Sequence, residues 1–299
     1  MLSLIIPSYN EKEKLVETIY SFIDQTELIS ELIVVIDNDQ DTSTESDLKK
    51  TFGSRINLKV HTQKNSGRAV ARNKGAELAS GDLLLFLDND MLCEKDCIAK
   101  HIDFHKKNKD CILTGNGFRN PAAAKKDFDH YLIALEKKAI QKMKSGIWIS
   151  FHDFSMTACN LSMPKQVFDS LGGFDTHLKD SEDLDFGIRA LNKKIPIFYD
   201  REVIAWHNDF EGILKFISRH NQYTEGKKTL LQLHPEYEKF MPHLSTQKNG
   251  MLKITLLRIL KRTICPLAIH GGAFFSMLPK RTRFFLYRLT ISAHSTINA

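Results

Sequence analysis

The sequence predicts an α/β fold, a mostly parallel sheet with helices on both faces, followed by a basic helical appendage. Three observations carry this expectation. Short runs rich in Leu, Ile and Val recur at Leu2–Pro7, Glu31–Asp37, Ile56–His61 and Leu83–Leu87. Helical stretches intervene, and strands joined by crossover helices are buried on both faces, so they read as continuous apolar runs. Each run also leaves into polar or acidic residues, and sheets of this kind bind ligands outside the carboxyl ends of their strands.

The elements follow in order. Leu2–Pro7 is a buried strand, Ser8-Tyr9-Asn10-Glu11 a turn, and an amphipathic helix is expected from Glu11 to Asp24. The strand Glu31–Asp37 ends in an acidic cluster. The strand Ile56–His61 leads through Asn65-Ser66-Gly67 into a helix reaching about Ala79. Gly81-Asp82 then opens the run Leu83–Leu87, which ends in Asp88-Asn89-Asp90. Two carboxylates one residue apart at the exit of a buried strand are a poor way to build a core. They are a good way to hold Mg²⁺ or Mn²⁺ beside a diphosphate, because such ions take one or two protein carboxylates plus phosphate oxygens. The bland alternative is an acidic turn. Tyr9 as a core aromatic, Asp37 as a turn carboxylate, and Arg72 and Asn73 as a solvated helix face are the corresponding alternatives nearby. Gly67 and Gly75 suit a turn and close helix packing.

A second acidic element, Ser181-Glu182-Asp183-Leu184-Asp185, opens a helix with an apolar stripe at Leu184, Ile188 and Leu191. Asp183 lies off that stripe and can face a cleft. Carboxylates in a first helical turn are also favoured by the macrodipole alone. Asp185 is expected to pair with Arg189 one turn on. His207 ends a strand-like run, Glu202–Trp206. His101 and His105 have chelating i, i+4 spacing but no completing acid, so they are expected on a surface helix. Asn160 and Trp148 are candidates for an acceptor site or for packing.

Five cysteines without framework or ligand spacing favour a reducing compartment. The N-terminus lacks a basic leader region. Charge is unevenly spread. No acid follows Glu238, and residues 251–299 hold eight basic residues, so the other 250 residues carry a net −2 against an overall +6. A polar stretch, 233–250, reads as a linker between a domain over 1–232 and a basic, aromatic tail over 251–299. The longest uncharged run of that tail, Ile264–Pro279, holds two prolines and two glycines and falls short of the roughly 20 residues a membrane span needs. An amphipathic anchor on anionic lipid is expected, and a helical subdomain packed on the core is the alternative. No nucleic-acid module accompanies the charge.

Taken together, five blocks resemble the inverting glycosyltransferases of family 2, with the GT-A fold, over about residues 1–230. They are I-I-P-S-Y-N-E (Ile5–Glu11), E-L-I-V-V-I-D (Glu31–Asp37), N-S-G-R-A-V-A-R-N-K-G (Asn65–Gly75), A-S-G-D-L-L-L-F-L-D-N-D (Ala79–Asp90), and G-G-F-D (Gly172–Asp175) with E-D-L-D (Glu182–Asp185). The resemblance implies that Pro7, Tyr9 and Glu11 line a nucleotide pocket and that Asp37 contacts the base or ribose. It implies that Asn65, Gly67 and Arg72 close over the nucleotide. Asp88 would face ribose and metal, with Asn89 beside it. Asp90 would ligate Mn²⁺ or Mg²⁺, and His207 would be a further metal or phosphate contact. Asp183 would be the general base, with Glu182 as the fallback. Ile36 departs from the pattern, since many members carry an acid there. The processive signature Q-x-x-R-W is replaced by Arg219-His220-Asn221-Gln222-Tyr223. The expected activity is transfer of one sugar from a nucleotide-sugar, preferably a UDP-sugar, to a glycan or lipid-linked glycan at the inner face of the cell membrane. A sugar nucleotidyltransferase would carry a Gly-rich basic phosphate loop where this chain has S-Y-N-E. A non-catalytic sugar-nucleotide binder is the other alternative, and the intact acidic set argues against it.

Overall fold

A computed structural model of the chain describes residues 1–142, 146–147, 156–240 and 273–295. The predicted Trp148 and most of the 233–250 stretch lie outside the described residues, as do the tail residues Lys253, Arg258, Lys261, Arg262 and Cys265. The chain divides into two compact units, one of residues 1–120 and 142–209, the other of residues 121–141 and 210–299.

The first unit is built on one sheet. Strands β1 (Leu2–Ser8), β2 (Glu31–Ile36), β3 (Leu58–Thr62) and β4 (Leu83–Leu87) pair in parallel in the order β3-β2-β1-β4. This is the parallel half that the apolar runs predict. The other half is mixed. Strand β8 (Asn160–Pro164) inserts antiparallel between β4 and β6 (Ile112–Asn116). The long strand β9 (Ile197–His207) runs parallel to β6 and antiparallel to β5 (Met91–Cys93) and β7 (Gly146–Ile147).

Alternation along β1 divides the core. Leu2, Leu4 and Ile6 point to helices α1 (Lys12–Ser21), α2 (Thr44–Phe52) and α4 (Cys97–Lys107), where Leu15, Ile19, Leu48, Phe52 and Ile98 meet them. Ile5 points to the opposite layer, which holds α3 (Arg68–Leu78), α6 (Lys165–Leu171) and α7 (Glu182–Asn192). Helix α3 lies close on the sheet because residue 75 is glycine; a Cβ there would overlap Ile5 Cγ2.

Two sequence expectations change here. His101 and His105 are buried, not on a surface face. Their rings bind Ser162 Oγ at 2.7 and 2.8 Å, and His101 also meets Asn160 Oδ1 at 2.7 Å. Polar side chains on β8 give the helix polar partners inside the core, and burial pulls His105 down to about 4, leaving it neutral. Asn160 donates to the backbone of Asn116 and Val203, so it serves as an internal strut. The α7 stripe also rotates. Phe186 and Ile188 are its fully buried apolar anchors, and Leu184 and Leu191 are only partly covered, because Phe86, Phe168 and Phe174 gather around Phe186 or one another.

The second unit has its own core. Phe128, Tyr131 and Leu132 of α5 (Asp127–Lys142) pack with Ile213 and Ile217 of α8 (Ile213–Leu233). Phe275 of α9 (Ala273–Met277) and Tyr287 and Ile291 of α10 (Lys280–Ser295) complete the cluster. Arg283 donates to both oxygens of Asp127, at 2.8 and 2.9 Å, and clamps α10 to α5. The described part of the basic tail therefore shares its core with α8, a helix that the sequence reading assigns to the first domain. Among the described residues, no helix is long and apolar enough to cross a membrane.

Candidate functional site

The exits of β1, β2, β4 and β9 bring most of the sequence-selected residues into the first unit's polar end. The β1 exit is joined to the β2 exit where Asp37 N donates to Ser8 O at 2.8 Å. The buried Asp37 carboxylate accepts from Ser66 N at 2.9 Å, Gly67 N at 2.8 Å and Gln63 Nε2 at 2.8 Å. It therefore shapes the loop that enters α3. Gly67 sits at φ +95°, a conformation L side chains rarely adopt, which fixes glycine at this turn. Asn65 is exposed on the same loop and Pro7 is within β1. Tyr9 is half exposed, so it is not a core aromatic. Glu11 accepts from Lys14 at 2.8 Å, and Lys14 also reaches Asp209 at 3.3 Å.

Asp88-Asn89-Asp90 follows β4 directly. Asn89 donates to Ser8 Oγ at 3.2 Å and is buried. Antiparallel pairing sets His207 opposite Met91, which brings its Nε2 to 3.3 Å from Asp90 Oδ2. His207 Nδ1 is buried with no hydrogen-bond partner. Burial raises Asp90 above the ordinary carboxylate range; His207 opposes the shift and Asp88 adds to it. A largely enclosed carboxylate destabilised in this way, next to a second carboxylate and an imidazole, is a donor set that fits a divalent cation, the carboxylates suiting Mn²⁺ or Mg²⁺. Among the described residues, no group of three or more His, Cys, Asp or Glu side chains is ready to hold a metal by itself. Protein-poor Mg²⁺-type sites of this kind complete their shell with phosphate oxygens and water.

Arg72 joins this exit to the second acidic element. Its side chain is 2% exposed, so it is not on a solvated face. Nη2 donates to Asp88 Oδ1 at 2.7 Å and Nη1 to Glu182 Oε1 at 2.6 Å, while the guanidinium lies 5.7 Å over the Phe174 ring. Burial opposes its charge, but Asp88 and Glu182 outweigh burial and keep it protonated. The same pairing holds Asp88 below the usual carboxylate range in spite of its burial. With both terminal nitrogens engaged and the side chain enclosed, Arg72 meets the cleft through Asp88 rather than as an open lid.

Helix α7 starts from Ser181 in a left-handed conformation, φ 69°, which is uncommon for a residue with a Cβ and is held by its surroundings. Glu182 is buried on Arg72, with Arg68 Nε 3.8 Å away. Arg68 also pairs with Asp180. Asp183 is the partly exposed member, accepting from Leu184 N at 2.8 Å. Burial first, and the charge of Glu182 second, push Asp183 up to about 6, where a carboxylate can accept a proton near neutral pH. Asp185 pairs with Arg189, as the i+4 spacing predicts.

Asn73 was not legible as a site residue. It donates to Phe174 O at 2.8 Å and accepts from Phe174 N at 2.9 Å. Arg189 holds the same loop through Leu171 O at 2.5 Å and Gly173 O at 2.9 Å. The Gly172–Asp175 segment is thus gripped from α3 and α7 together. The R-N pair at 72–73 was the one signal in the sequence that pointed to it.

The model of the family described as "Glycosyl transferase family 2" matches residues 3–168. TuaG of Bacillus subtilis, named as a teichuronic acid biosynthesis glycosyltransferase, is 32% identical over 139 residues, which cover 46% of this chain and 54% of TuaG. Validoxylamine A glucosyltransferase of Streptomyces hygroscopicus subsp. jinggangensis is 28% identical over 232 residues, 68% of this chain and 54% of that protein. The chain thus spans about half the length of these curated relatives. Among solved structures, a Pyrobaculum calidifontis mannosyltransferase in complex with GDP-Man and Mn²⁺ superposes with TM-score 0.62 at 17% identity, covering 99% of this chain and 86% of that one. TarS of S. aureus in complex with UDP superposes with TM-score 0.55 at 15% identity, covering 99% and 89%. At these identities the likeness establishes the fold.

Proposed function

The chain belongs to glycosyl transferase family 2, and from that premise we propose that it is a metal-dependent, inverting, non-processive glycosyltransferase. It takes a nucleotide-sugar, a UDP-sugar first among the donors, and glycosylates a hydroxyl of a glycan or lipid-linked glycan, as in cell-surface polysaccharide synthesis. One observation carries the proposal. The buried guanidinium of Arg72 donates to both Asp88 and Glu182, which supports reading the strand-exit carboxylates and the first turn of α7 as one site.

The proposed roles are these. Pro7, Tyr9, Glu11, Asp37, Asn65 and Gly67 line or shape the nucleotide side, with Asp88 and Asn89 at its inner end. Asp88, Asp90 and His207 would hold the divalent cation. A cation bound there offsets the negative charge that grows on the departing diphosphate. Glu182 is committed to Arg72, which leaves Asp183 to accept the proton of the acceptor hydroxyl. The new bond forms between that oxygen and the anomeric carbon as the bond to the diphosphate oxygen breaks on the opposite face. The configuration inverts, and the proton ends on Asp183. A sugar hydroxyl attacks poorly until a placed base takes its proton in the transition state. We place the enzyme on the cytoplasmic face of the cell membrane, held there by the cationic C-terminal region.

The test is donor hydrolysis by the full chain across UDP-, GDP- and dTDP-sugars with Mn²⁺, with Mg²⁺ and with EDTA. Turnover of one donor class, lost in EDTA and in Asp90→Ala with an unchanged melting curve, supports the reading. Full turnover in EDTA, or in Asp90→Ala, sinks the metal assignment.

A further inference from the structure

The solvent face of α10 carries a pattern that its packing does not explain. At 3.6 residues per turn, Arg281, Phe285 and Arg288 fall within about 60° of one another. Tyr287 and Thr290 lie about 100° or more from that stripe and are buried. Phe285 is 53% exposed, and Met277, just ahead of the helix, is 81% exposed. Arg288 lies over the Phe285 ring at 5.9 Å, and Lys280 over the Phe284 ring at 5.3 Å. Arg283 is the one cation of this helix neutralised by a described acid, Asp127. The sequence supplies no other acid here, since none follows Glu238.

Scattered exposed apolar residues are ordinary on soluble proteins. Here two large apolar side chains, Met277 and Phe285, stand with Arg281 and Arg288, with no carboxylate on the same stretch of chain. A protein partner of mixed charge would not need that one-sided set. A surface with anionic groups over an apolar layer matches both halves of it. Cations meet phosphate, and Phe and Met enter the boundary between headgroup and acyl chain.

We infer that Met277 and the stripe Arg281, Phe285 and Arg288 form the docking face for an anionic phospholipid bilayer. The inference rests on the membrane-surface placement proposed above and assigns it to particular residues. Each cation near such a surface contributes about 1 kcal/mol, which corresponds to about fivefold in affinity.

The experiment is co-sedimentation of the full chain with phosphatidylcholine vesicles, with and without phosphatidylglycerol. Wild type binds the anionic vesicles, binds them less as salt rises, and does not bind phosphatidylcholine alone. Arg281→Glu/Arg288→Glu weakens binding at least tenfold, and Phe285→Ala weakens it severalfold while keeping the salt dependence. A control with the same net charge change in the first unit, Lys50→Glu/Lys109→Glu, binds as wild type. All these positions are exposed, so melting temperatures hold; the single Arg281→Gln supplies a second reading should the double variant melt early. Wild-type binding by the stripe variants, or equal loss in the control, overturns the stripe while leaving membrane placement standing. No binding of wild type to anionic vesicles, or tighter binding to single-stranded nucleic acid, overturns both. None of these outcomes bears on donor hydrolysis, which is scored separately.

Discussion

Arg72 shows how one residue ties the exit of β4 to the first turn of α7. It is enclosed, and two carboxylates depend on it. Removing one partner of a buried ion pair costs about 3–5 kcal/mol because the other charge is stranded. Arg72→Met should lose about that much in urea unfolding at neutral pH, and Arg72→Met/Glu182→Gln should regain part of it. Strict additivity in that double-mutant cycle would show that the two side chains are not coupled. Asp183 sets a second residue-level expectation. Its folded pKa is raised to about 6 by burial and by Glu182, and it must be ionised to act as a base. Activity should therefore rise with pH through an acid limb near 6. Glu182→Gln removes the second of those causes and should move the limb to lower pH; a limb that stays or rises contradicts the assignment. Asp88, Asp90 and Asp183 drew notice in the sequence because carboxylates at a strand exit or in a first helical turn stand out by type and place, and the structure puts them at those places. Arg72 was named from the family resemblance, but its burial between two carboxylates, like the burial of His101 and His105, was not legible, since a polar residue on a helix face reads as solvated until the facing elements supply partners.

Among elements, the parallel half of the sheet was legible because its strands are uninterrupted apolar runs. Strand β8 was hidden by Asn160 and Ser162, which satisfy α4 inside the core and break the apolar pattern. Helix α2 was hidden by its polar composition, with only Thr44, Leu48 and Phe52 buried. The parallel strands are tied at their opposite end by Glu31. It accepts from Ser3 Oγ at 2.5 Å and Ser80 N at 2.6 Å and pairs with Lys59 at 2.5 Å, so β1, β2, β3 and the entry to β4 share one carboxylate. Burial alone would raise this group, but Lys59, Ser3 and Ser80 outweigh it and hold Glu31 at about 2, below its ordinary 4.5. A depressed carboxylate stabilises the fold above its unfolded pKa, and that contribution fades as pH falls through the folded value. Glu31→Gln should cost about 2–4 kcal/mol at neutral pH. Its deficit against wild type should shrink between about pH 4.5 and 2. A deficit independent of pH would show that charge is not what Glu31 contributes.

On the scale of the whole chain, sequence blocks carry the family resemblance and charge marks the basic end, while the division of residues 1–232 between two units was not legible. The core of the second unit was not legible. Phe128 and Tyr131 lie more than a hundred residues from Tyr287 and Ile291, and no local pattern announces such a meeting. Deleting residues 273–299 should uncover Phe128, Tyr131, Ile213 and Ile217 and lower the melting temperature by about 5–10 °C; an unchanged melting curve would mark the C-terminal helices as a free appendage. The central claim is that Asp183 takes the proton while the donor is held by other groups. Its most direct test is Asp183→Asn, which keeps the shape and removes the base, with kcat for donor hydrolysis and donor Kd measured on the same protein. In that variant kcat should fall roughly 10²–10⁴-fold with Kd within about twofold of wild type. Wild-type kcat in Asp183→Asn, together with a collapse in Glu182→Gln, would contradict it.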